Sequence, residues 1–130
     1  MPLYVADTHA LIWYLSGSSQ LSQPARTAFD EALTGAGQVR IPVIVLAELI
    51  MVAEKKRVAI NVQHVTDTLR ATPGFQFTPL TLETAARIQM LTPLPDIHDR
   101  LIVAEALEHQ AGLITRDEAI TASKLVPVVW

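Results

Sequence analysis

"PLYVADTHALIWYLSG", residues 2–17, decides the fold. "PLYVAD" reads as a short buried strand that stops at an acid, and "THALIWYLSG" follows with helical spacing and ends at Ser16-Gly17. A strand passing straight into a helix opens a β/α unit. Working outward, the pattern recurs. "LSQPARTAFDEALTGAG" carries helix punctuation: Ser22 as N-cap, Pro24 in the first turn, Gly35 and Gly37 at the end. "VRIPVIV", residues 39–45, is short and β-branched, and "LAELIMVAEKKRV" after it predicts a helix with basic residues in its last turn. Asn61 can cap "VQHVTDTLRAT", which Pro73-Gly74 stops. "FQFTPL" predicts a strand, and Thr81 can cap "LETAARIQML" with Glu83 in its first turn. "IHDRLIVAEALEHQAG" predicts a helix closed by Gly112. "LIT" and "VPVVW" predict two last short strands. Strands alternating with helices predict an α/β fold with a parallel sheet covered on both faces. No repeat, low-complexity segment or linker divides residues 1–130, so they read as a single domain.

Half of the 130 residues are apolar, which excludes disorder. Cysteine is absent, so disulfides and thiolate metal sites are excluded, and a reducing compartment is expected. The net charge is −3, so no global basic field draws the chain to nucleic acid. Any such contact needs local basic patches or bound cations. The start, "MPLYVADTHALIW", has no positive n-region and is not read as a signal peptide. A bilayer span needs ~20 apolar residues, and the apolar run around Glu48 falls short of that. The expectation is a soluble, cytoplasmic protein with no membrane contact.

Four acids stand in strand–helix contexts. Asp7 ends the first strand and opens a helix. Glu48 lies in the first turns of the helix after the second strand. Asp99 lies in the first turn of "HDRLIVAEAL", and Asp117 follows the strand "LIT". In a parallel sheet the carboxyl ends of the strands share one edge, where ligands bind. Four carboxylates from distant positions can therefore converge there. Crowded carboxylates raise one another's pKa, and a hard divalent cation cancels that charge. Oxygen donors without Cys or His pairing suit Mg2+ or Mn2+ rather than zinc. The matching chemistry is metal-assisted phosphodiester hydrolysis.

Each acid also has a bland explanation. Asp7 fits an N-cap, Asp99 a helix start or an ion pair with Arg100, and Asp117 a cap or turn. Glu48 is harder to dismiss. From Ile41 to Ala53 every other side chain is apolar, so a solvated face does not account for it.

"YVADTHALIW", "VIVLAELIMVA", "DIHDRLIVAEAL" and "GLITRDEAI" resemble, in order, the four acidic motifs of the PIN-domain family. The resemblance runs from Leu3 to Val129 and is nearest to the toxin ribonucleases of VapBC type II toxin–antitoxin systems. It implies an α/β/α sandwich and an Mg2+- or Mn2+-dependent endoribonuclease acting on RNA. It also implies an antitoxin partner and a homodimer. Carried over, Asp7, Glu48, Asp99 and Asp117 are the metal-binding acids, with Glu48 ligating directly or through water. Thr8 follows the first acid, and Thr115 matches the hydroxyl residue two before the fourth. Two departures stand out. Val45 occupies a position one turn before Glu48 that is often small and polar in relatives, which predicts a drier surround. The third motif holds two acids; Asp99 is preferred, and Asp96 is a helper or an N-cap.

Other residues carry lesser expectations. Arg100 and Arg116 flank proposed ligands and can bind phosphate or pair with the carboxylates. His98 reads as an exposed first-turn residue, and His9 as facing the helix exterior. His64 and His109 have no evident partner. Lys55, Lys56 and Arg57 read as a solvated helix end. "ALIWYL" and "ELIMVA" read mostly as core, and Trp13, Tyr14 and the second helix as candidates for an antitoxin groove. Two rival functions remain. One is an aspartyl-phosphate phosphatase, against which position 9 is His rather than a second acid. The other is a catalytically inert, acidic metal-binding interaction module.

Overall fold

The computed structural model describes residues 1–55 and 58–130. The chain starts with β1 (Leu3–Ala6), α1 (Thr8–Ser16), α2 (Gln23–Thr34) and β2 (Gln38–Pro42). Next come α3 (Val43–Glu54), α4 (Val62–Ala71), β3 (Phe75–Thr78) and α5 (Leu82–Arg87), which runs into a 3-10 turn at Ile88–Met90. The last elements are α6 (Ile97–Glu108), β4 (Gly112–Ile114), α7 (Glu118–Ser123) and β5 (Val128–Val129). All strand pairs are parallel, in the order β3-β2-β1-β4-β5. The α/β expectation holds. Among the described residues no helix is long and apolar enough to cross a membrane.

The inner strands are buried, as a parallel sheet covered by helices requires. Val5, Val39, Ile41, Leu113 and Ile114 have no exposed surface. Phe29 of α2 is equally buried and stacks on Tyr14 of α1, ring centres 4.5 Å apart. Gly74 admits a close approach. A Cβ there would lie 1.8 Å from the Ala32 carbonyl oxygen, so only glycine lets the end of α2 pass the start of β3.

Several boundaries move. The strand expected over 39–45 ends at Pro42, and Val43, Ile44 and Val45 are helical. β-branched residues cost a helix roughly half a kcal/mol each. Burying Val45 and Leu49 fully on the inner side of α3 is worth ~1.5–3 kcal/mol apiece and wins. Gly112 does not close α6. The helix ends at Glu108, Gln110 takes the left-handed turn at φ 51°, and Gly112 begins β4. The helix α7, capped by Asp117, has no counterpart in the sequence reading.

The stripe in "ELIMVA" is mostly not core. Val43, Ala47, Ile50 and Met51 face outward at helical spacing. Tyr14 turns into the α1–α2 packing rather than into a groove. Lys55 is exposed at the end of α3, and Lys56 and Arg57 lie outside the described residues.

Candidate active site

β1 and β4 are neighbours, and the chain leaves them in opposite directions. From β1 the sheet grows toward β2 and β3, and from β4 toward β5. Such a switch point opens a crevice at the carboxyl ends of its two strands. Asp7 stands at the end of β1, and its amide donates to the Ile114 carbonyl at the end of β4, at 3.0 Å.

Two threonines hold the acids there. The Thr8 amide donates to Asp7 Oδ1 at 2.7 Å, and the Thr8 hydroxyl donates to Glu48 Oε1 at 2.8 Å. The Thr115 hydroxyl donates to Asp7 Oδ2 and accepts from the Asp117 amide at 3.0 Å. Both threonines are buried, so each hydroxyl must find a partner. Asp117 also caps α7, accepting from the Ile120 amide at 2.8 Å. Its role as a cap and its place in the cleft wall coexist.

Burial raises the Asp7 carboxyl above its ordinary value, against the lowering effect of the Thr115 and Thr8 bonds. Asp99 moves furthest. Burial first, then the charges of Asp117, Asp96, Asp7 and Glu48, push it up to about 7. Charges from three other segments of the chain, besides Asp96 of its own helix, therefore reach Asp99. Among the described residues, no three carboxylates or imidazoles stand at ligating distance around a single point.

The PIN-domain family profile matches residues 4–123. The chain is a PIN-domain protein. It is 28% identical over 130 residues to Ribonuclease VapC22 of Mycobacterium tuberculosis, covering 95% of this chain and 94% of that one. The fold matches VapBC2 from Rickettsia felis, solved bound to a promoter DNA fragment, with a TM-score of 0.72, 16% identity and 97% and 96% of the two chains covered. It also matches a toxin–antitoxin complex from Klebsiella pneumoniae, with a TM-score of 0.68, 24% identity and coverage of 97% and 95%.

Not every residue singled out in this PIN domain reaches the acids. Asp96 is the N-cap of α6, accepting from the His98 and Asp99 amides at 2.8 and 3.1 Å. His98 is exposed beside it. Arg100 turns away and donates to the carbonyls of Leu94 and Ile88, so it holds the 88–94 turn rather than a carboxylate. His109 does have a partner, Glu105, at 3.2 Å. Glu48 is half-buried, not dry: Val45 is fully buried, but Thr8 supplies the polar neighbour from another helix.

Arg116 does reach the site. It lines a cleft of about 660 Å³ with Asp7, His9, Ala10, Trp13, Asp117 and Glu118. His9, Ala10, Trp13 and Glu118 are the cleft residues that the sequence did not place beside the acids. The signal was the spacing of His9 and Trp13, four apart on α1, which puts both on one face.

Proposed function

We propose that this PIN-domain protein is an Mg2+- or Mn2+-dependent endoribonuclease, acting in the cytoplasm as the toxin of a toxin–antitoxin pair. The observation that carries this reading is that Asp7 and Asp117 line one cleft at the switch point of the sheet, with Glu48 tied to the same strand end through Thr8 and Asp99 raised by burial and by the charges of all three. The similarity to Ribonuclease VapC22 supports it, as does the fold shared with toxin–antitoxin complexes.

The donor set fits a hard divalent cation. It is all oxygen, and burial and the charges of the neighbouring acids raise the proton affinity of Asp99 when no cation stands among them. Asp7, Asp99 and Asp117 would hold the ion, and Glu48 would hold it or one of its waters. The ion, when bound, would supply a water of lowered pKa and a counter-charge for the phosphate. Thr8 and Thr115 keep Glu48 and Asp7 aimed at the crevice. Thr115 also ties the Asp117 backbone to the Asp7 carboxylate. Asp99, protonated up to about pH 7 without a cation, must give up its proton to ligate.

The outward row of Val43, Ala47, Ile50 and Met51 on α3 is where we place the second copy of a homodimer. Met51→Glu should then yield a monomer by light scattering, and an unchanged dimer removes that assignment.

The decisive experiment measures RNA cleavage with Mg2+ or Mn2+ by wild type, Asp7→Asn and Asp99→Asn. Cleavage by wild type alone, abolished by chelator, is expected. Equal cleavage by all three, or cleavage that survives chelation, overturns the reading.

A further inference from the structure

The cleft beside the acids has a second wall. Arg116 sits over the ring of Trp13, its guanidinium carbon 4.5 Å from the ring centre. His9 and Trp130 brace the same ring, with centroids 5.7 and 5.8 Å away. Arg116 is exposed and Trp13 half-buried, so this is a surface platform and not part of the core. Among the described residues no ion pair uses Arg116, although Asp7, Asp117 and Glu118 line the same cleft. A second hollow, of about 520 Å³, opens on the far side of Arg116 toward Trp130.

We propose that the Trp13–Arg116 pair is a stacking site for an unpaired nucleobase of an RNA strand lying beside the acids. This rests on the ribonuclease reading above. The chain's charge is −3 and its cleft is acidic, so Coulomb attraction to the RNA backbone is weak here. Stacking does not depend on net charge and tolerates any base. Guanidinium planes and aromatic rings are the surfaces on which proteins seat splayed-out bases. Arg116, its guanidinium carbon 4.5 Å from the Trp13 ring centre, can offer its plane to a base and its N–H edge to the adjoining phosphate. A base inside a duplex is unavailable, because unstacking it costs free energy. The site therefore selects single-stranded RNA.

The test uses full-length protein carrying Asp99→Asn, so that binding is read without cleavage, in Mg2+ buffer. A labelled single-stranded RNA 12-mer, ~12 nucleotides matching a typical groove, is compared with the same strand in a duplex. Trp13→Ala should weaken single-strand binding about 10- to 100-fold, and Trp13→Phe should hold it within ~3-fold. Arg116→Lys, which keeps the charge and loses the plane, should weaken it ~10-fold. The Trp13→Ala loss should persist at high salt, where phosphate contacts fade. Should Trp13→Ala not fold, Arg116→Lys, at an exposed position, carries the test. Single-strand binding unchanged in Trp13→Ala or Arg116→Lys overturns the proposal and leaves the wall to a protein partner. Equal affinity for duplex overturns it as well. Cleavage assays on the wild-type residue 99 separate the two readings. If wild type cleaves while these variants bind normally, only the stacking site fails. If wild type neither binds nor cleaves RNA, the ribonuclease reading fails and takes this site with it.

Discussion

The Thr8 hydroxyl donates to the Glu48 carboxylate at 2.8 Å across 40 residues of sequence. That bond answers a question the sequence raises about an acid set in a run of apolar side chains. α3 is anchored through Val45 and Leu49, and the anchoring turns Glu48 toward α1, which supplies its partner. A hydrogen bond to a charged group is worth about 1.5–3 kcal/mol.

Thr8→Val should therefore lower RNA cleavage roughly 10-fold or more with little change in fold, since the shapes match and the side chain is buried. Thr8→Ser should restore most of it. Cleavage rates and melting temperatures of the two variants, measured side by side, check this.

Thr115→Val removes one of the two bonds that hold the Asp7 carboxyl down against burial. Asp7 should then take up its proton more readily and compete less well for a cation. Partners that orient ligands are typically worth about 10–100-fold in metal affinity. Calorimetric titration with Mn2+ at pH 7 should show a loss in that range, and unchanged affinity would mean that Thr115 serves only the turn before α7.

Asp99 predicts a pH dependence of its own. Its ordinary value is 3.8, and in the cation-free fold it rises to about 7. The folded state therefore holds a proton that the unfolded state releases. The associated stability is fully present below about pH 4 and is lost as pH rises through about 7. In chelator, melting temperature should fall between pH 5 and pH 8, and Asp99→Asn should flatten that fall. Adding Mg2+ at pH 8 should restore stability to wild type, because a ligand that binds only the fold favours it, and should do less for Asp99→Asn.

Gly74→Ala tests the seam between α2 and β3. A methyl group there meets the Ala32 backbone at 1.8 Å, and backbone cannot step aside as a flexible side chain can. The variant should lose about 1–3 kcal/mol or more of stability, read by urea denaturation. Full stability would mean that the two elements separate freely.

The alternation of strands and helices was legible because its signals are local: Ser22, Asn61 and Thr81 cap helices where expected, and Gly17 and Gly35 end them. The four acids were legible too, each marked by a strand end or a helix start, and their order carried the family resemblance. What escaped was whatever depends on which way an element faces. Val43–Val45 are helical because burial of Val45 outweighs local propensity, and Ile50 and Met51 face outward because α3 buries its other side. Arg100 points to carbonyls and Arg116 to Trp13, although both flank an acid.

By itself, then, the sequence determined the succession of elements and the identity of the candidate ligands, since both are written in short-range chemistry. Only the tertiary structure decided the partners: Thr8 with Glu48, Thr115 with Asp7 and Asp117, Trp13 with Arg116 and Trp130. The reason is physical. Thr115 meets Asp7, and Arg116 meets Trp13, because β1 lies beside β4 in the sheet, an adjacency that joins segments more than a hundred residues apart; Thr8 meets Glu48 because α1 packs on α3.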